Sequence, residues 1–178
     1  MSAPLRPKFD AIEAHAHFGD LYCPIYAQGR HWQPWTEKQI ADLVERLRGM
    51  GITKAVNLDG FWDGFLGLTM QRIFDTLAPW KDFFLTFVSV DTRAPDAPDF
   101  EQRIREHLLR AKDLGARGVK LFKHLSLMVE KSPYEFVPGR GILPDDPRLD
   151  VIFDTAAQLS LPVLIHIADP PAFFEPMD

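Results

Sequence analysis

Phe9-Asp10-Ala11-Ile12-Glu13-Ala14-His15-Ala16-His17-Phe18-Gly19-Asp20 reads as a strand, Phe9 to His17, that runs straight into a turn. The contents of that turn separate the two folds open to a chain of alternating strands and helices. An open doubly wound sheet needs phosphate-binding glycines after its first strand, and Ala16-His17-Phe18-Gly19-Asp20 contains no GxGxxG. A closed (β/α)8 barrel instead gathers polar side chains at the C-terminal ends of its strands. Side chains alternate along a strand, so His15 and His17 project to the same face at such an end.

Outward from this stretch, short apolar runs alternate with helix-period segments. A helix is expected from Thr36, with Thr36 and Gln39 spaced as a capping box, Trp35 able to staple onto Ile40, and Gly49 and Gly51 as its stop. Its apolar face is Ile40, Leu43, Val44 and Leu47. Strand two is Lys54 to Leu58, a weaker helix spans roughly Leu68 to Leu77, and strand three is Phe83 to Val90. Asp99 is expected to cap the next helix, which buries Phe100, Ile104, Leu108 and Ala111 and ends at Gly115. Strand four is Val119 to Phe122. After a long loop, Asp146-Pro147 opens a helix with inner face Leu149, Ile152, Phe153 and Ala156, and strand five is Val163 to Ile167. The order β-α-β-α-β-α-β-α-β calls for a parallel sheet under outer helices. The fold class expected is therefore α/β, a partial TIM (β/α)8 barrel of about four and a half units, since a full barrel takes typically about 250 residues. Residues 1–178 are read as a single domain truncated after strand five.

With 46% hydrophobic residues the chain can bury a sizeable core. A net charge of -5 excludes a surface built to neutralise phosphates, so no nucleic-acid partner is expected. Arg103, Arg105, Arg110 and Lys112 interleave with acids and read as a solvated helix face. Cys23 is the only cysteine, which rules out an internal disulfide and a CxxC metal site, so any metal must be held by imidazole and carboxylate. No stretch is long enough to span a membrane and Met1 to Asp10 lacks a signal-like apolar run, so a cytoplasmic location is the default expectation.

Two further positions converge with the histidine pair. His166 ends the otherwise apolar Pro162-Val163-Leu164-Ile165, where a ring nitrogen needs a hydrogen bond or a metal. Lys120, in Gly118-Val119-Lys120-Leu121-Phe122-Lys123, faces the barrel interior if Val119 and Leu121 lie beneath the helices. An inward lysine is costly unless it is paired or altered. It can become a bridging carbamate, bind an anionic substrate, or pair with Glu13 or Asp59. Lys123 and His124 are weaker candidates at the same strand end.

The stretches Ile12-Glu13-Ala14-His15-Ala16-His17, Gly115-Ala116-Arg117-Gly118-Val119-Lys120-Leu121-Phe122 and Leu161-Pro162-Val163-Leu164-Ile165-His166 resemble the amidohydrolase superfamily, most of all its amidohydrolase-related branch. Glu13 stands where relatives usually carry aspartate, and the family's ligands on strands six and eight have no counterpart in these residues. The resemblance implies a divalent metal, zinc above all, held by His15, His17 and His166, with Lys120 as the catalytic side chain. It implies a metal-dependent hydrolase that directs metal-activated water at an amide or ester-like bond of a small-molecule substrate. The alternatives are a zinc-dependent non-oxidative decarboxylase and a non-catalytic half-barrel that dimerises. An aromatic loop with Tyr22, Trp32 and Trp35 reads either as a lid over the mouth or as aromatic packing on the barrel rim.

Overall fold

The computed structural model describes residues 10–24, 31–92, 94–122 and 142–166, together with the backbone of 128–129 and 136–137. Five strands form one parallel sheet: β1 (Ala11–Ala16), β2 (Ile52–Asn57), β3 (Phe84–Val88), β4 (Gly118–Leu121) and β7 (Val163–Ile165). Their spatial order is β1-β2-β3-β4-β7, the same as their order in the chain. A doubly wound sheet reverses direction at a switch point, and this one never does, so it is the curled half of a barrel. Between successive strands lie the outer helices α1 (Glu37–Gly49), α2 (Met70–Leu77), α3 (Phe100–Leu114) and α4 (Asp150–Gln158). Among the described residues, β1 and β7 are the open edges of this sheet. β5 (Met128–Val129) and β6 (Phe136–Val137) pair antiparallel within the stretch expected to be a plain loop.

Local chemistry accounts for the helix boundaries. Thr36 and Gln39 form the reciprocal capping box, with the Gln39 side chain accepting from Thr36 N at 2.9 Å. α1 continues through Gly49, and its true stop is Gly51, which has φ +88°. Thr69 caps α2 by accepting from Arg72 N at 3.2 Å. Asp99 does occupy the N-cap of α3, but its carboxylate makes no cap hydrogen bond and pairs with Arg103 at 3.2 Å instead. A guanidinium one turn along competes successfully for that acid. Asp146 behaves as expected and accepts from Arg148 N at 2.9 Å before the 3-10 turn Pro147–Leu149 that leads into α4.

The core lies between sheet and helices. One cluster joins Ile104, Leu108 and Ala111 of α3 and Ile152 and Ala156 of α4 to Val88, Val119 and Leu121. The other joins Ile40 and Val44 of α1 and Ile73 and Leu77 of α2 to Ala55, Phe83 and Phe84, with Leu43, Leu47 and Trp35 packed against it. Val119 and Leu121 thus lie under the helices, and alternation turns Lys120 the other way. Gly118 shares the Lys120 face, and a Cβ there would meet the Phe87 ring at 2.4 Å. Edge strand β1 is mostly exposed, including Ile12 at 59%. No helix among the described residues is long and apolar enough to cross a membrane.

Candidate metal centre

The strand ends bring the expected residues to one rim. His15 lies on β1 and His17 just past it, with ring centroids 5.3 Å apart in an edge-to-face arrangement. His166 follows β7, and its backbone N–H donates to Leu121 O at 2.9 Å, which ties it to the end of β4. Burial is the largest influence holding His15 below its ordinary pKa, followed by the positive fields of Lys120, His17 and His166, while Glu13 opposes them. A neutral imidazole is also the form that ligates a metal. The strands are parallel, so the C-terminal ends of β1, β4 and β7 share one side of the sheet. Among the described residues, no three His, Cys, Asp or Glu side chains are grouped tightly enough to hold one ion as they stand.

Lys120 is only 1% exposed, and its Nζ has no hydrogen-bond partner among the described residues. Neither expected acid pairs with it directly. Glu13 accepts from His15 N at 2.9 Å, and Asp59 binds His17 and Gly19. Burial pushes the Lys120 ammonium below its ordinary pKa of 10.5, with the Asp59 charge acting in the opposite direction. The Phe122 ring centroid lies 5.6 Å from Nζ.

Asn57 is a residue that sequence reasoning passed over, and Asp59 and Tyr22 hold parts other than those it gave them. Asp59 is fully buried, and its Oδ1 stands 2.8 Å from His17 Nδ1. Asn57 Nδ2 donates to Tyr22 Oη at 3.0 Å and to Thr86 Oγ1 at 3.4 Å. Tyr22 is therefore not a lid residue. It is 1% exposed and donates to the Asp59 carbonyl, because a buried phenol must satisfy its hydroxyl. Trp32 donates to Asp20 O at 3.0 Å, and Trp35 packs on the α1–α2 cluster. A signal for Asp59 existed, since an acid after the apolar run of β2 occupies a C-terminal strand end like the histidines. Lys123, His124 and Ile167 lie outside the described residues.

A second polar group sits apart from this rim. A cavity of about 330 Å³ is lined by Trp62, Asp63, Asp91, His107 and Arg110 among others, and shares no residue with the rim. His107 Nε2 bonds Ser89 O at 2.8 Å, and Arg110 pairs with Asp63 at 2.7 Å. Burial holds the His107 imidazole below its ordinary pKa of 6.5, although its bond to Ser89 opposes this. Below that pH the folded chain binds fewer protons than the unfolded chain, so stability should fall on acidification through 6.5 and level off above it. Denaturant titrations across this range should show a His107 contribution no steeper than about 1.4 kcal/mol per pH unit. A His107→Gln variant should lose that part of the slope, and an unchanged slope would remove His107 as its source.

No protein-family model and no curated protein matches the chain.

Proposed function

We propose that this chain bears the metal-binding rim of a metal-dependent hydrolase of the amidohydrolase-related family. The placement of His15, His17, Lys120 and His166 at or just past the C-terminal ends of parallel strands β1, β4 and β7 carries the reading. By donor type, though not by their present spacing, the imidazoles suit a divalent ion. Their neutral form is favoured at His15, and one of them is backed by a buried carboxylate, the arrangement usual behind ligating histidines. His15, His17 and His166 would hold the ion, with zinc expected. When bound, it supplies Lewis acidity toward water and toward a substrate carbonyl.

The chain's own residues do the remainder. Asp59 keeps His17 in place, and the β4–β7 bond from His166 N to Leu121 O holds the third imidazole at the rim. Lys120 is assigned the anionic oxygen of a small-molecule substrate, because an ammonium without an acceptor among the described residues gains most from meeting one. That same observation favours a second reading, non-oxidative decarboxylation, in which Lys120 grips the carboxylate that leaves as carbon dioxide. Among the described residues β1 and β7 have unpaired outer sides, which we assign to a second copy of the chain as partner.

Metal analysis of the purified protein alongside His15→Ala and His166→Ala variants tests the site. Both substitutions should lower bound zinc well below the parent level, and full metal content in both would dismiss the reading. Screening amides, lactones and aromatic carboxylic acids separates the two reactions, because only the lyase releases carbon dioxide.

A further inference from the structure

The turn after β2 points to an unassigned device. Asp59 has no exposed surface, and both of its carboxylate oxygens are committed: Oδ1 stands 2.8 Å from His17 Nδ1, and Oδ2 accepts from Gly19 N at 2.7 Å. Its main chain is held as well. Asp59 N donates to Asn57 Oδ1 at 3.2 Å, and its carbonyl accepts from Tyr22 Oη. Asn57 also donates to Tyr22 and to Thr86 of β3, so side chains of β2 and β3 and the turn after β1 join in one network around Asp59.

The proton inventory then decides the chemistry. An ionised carboxylate can only accept, so the hydrogen between Asp59 and His17 belongs to Nδ1. A neutral imidazole carries one N–H, which leaves the lone pair on Nε2. His15 differs, having no side-chain hydrogen bond among the described residues. The two members of the pair are therefore unequal: the Asp59 bond selects one tautomer and one orientation for His17, and His15 has no such bond among the described residues.

We propose that Asp59 is the positioning residue of this rim, fixing His17 as the Nδ1–H tautomer and presenting Nε2 as its ligating atom. The second half of this statement rests on the metal reading above, and the first half does not. A carboxylate in this position typically contributes about 10–100-fold to metal affinity.

The test uses the full chain labelled with nitrogen-15 histidine, free of metal and at a pH where His17 is neutral. Long-range proton–nitrogen spectra should show His17 protonated on Nδ1. In Asp59→Ala that preference should give way to a mixture or to the Nε2–H form, and zinc titration should show affinity about 10–100-fold weaker. A structural role alone would change stability without moving the tautomer. A parent His17 carrying its proton on Nε2 would overturn the proposal, as would an Asp59→Ala protein with His17 unchanged. If Asp59→Ala does not fold, the parent spectrum still decides. If the tautomers shift as expected and neither protein takes up zinc, the positioning role stands and the metal reading fails.

Discussion

Lys120→Met should make the protein more stable and inactive at once. The parent lysine is 1% exposed, its Nζ lacks a hydrogen-bond partner among the described residues, and Met keeps the unbranched stem while removing the charge. An unsatisfied buried polar group costs about 1–3 kcal/mol, and the variant should recover an amount of that order near neutral pH. The gain should also depend on pH. Burial lowers the folded-state pKa from 10.5, so in the parent the unfolded chain binds the proton more tightly, and stability rises as the amine is deprotonated. The gap between variant and parent should therefore narrow as the pH is raised toward 10.5, as urea titrations would show. Turnover of whichever substrate the screen identifies should fall about 10²–10³-fold, the scale for losing one donor to a substrate oxyanion. A Lys120→Met protein less stable than the parent near neutral pH would mean that the amine has a partner, and the assigned role would fail. Natural chains keep such uncomfortable groups where function requires them.

Leu108→Ala should be among the most damaging single changes in the core, at about 2–5 kcal/mol. Leu108 has no exposed surface and sits among Val119 and Leu121 of β4 and Ile152 and Ala156 of α4. Its neighbour Leu109 is 51% exposed, so Leu109→Ala should cost within about 0.5 kcal/mol. The difference is large beside the roughly 5–15 kcal/mol that holds a domain folded. It also bears on the rim, because the helix face of β4 is what α3 clamps and Lys120 projects from the other face. A cavity beneath Val119 and Leu121 should loosen that strand and lower activity beyond the stability loss alone. Equal costs at 108 and 109 would show that α3 is rotated from the packing described.

Local signals reported the helices well. The capping box at Thr36, the αL glycine at Gly115 with φ +104° and the Asp146-Pro147 start all act over a few residues, so they are legible before any tertiary contact forms. Asp99 misled because a cap residue has more than one partner to choose from, and Arg103 on the exposed face offered a charge. Strand ends moved by a residue or two, as at β2, where parallel pairing with β1 and β3 extends the strand back to Ile52. Between a lid and rim packing the sequence could not choose for Tyr22, because the hydroxyl bridge from Asn57 to Asp59 that settles it joins distant residues.

The sequence by itself determined the alternation of strands and helices, the helix-facing side of β4, and the four strand-end positions His15, His17, Lys120 and His166. Period-2 and period-3.6 patterning encodes these within single elements. Tertiary structure decided that the strands run in chain order without reversal, which makes the sheet a half-barrel. It also decided that Asp59 stands behind His17 and that Lys120 is left without an acceptor among the described residues. Hydrogen bonds such as Asp59 to His17 join residues 42 positions apart, and only the curl of the sheet sets their distance and direction.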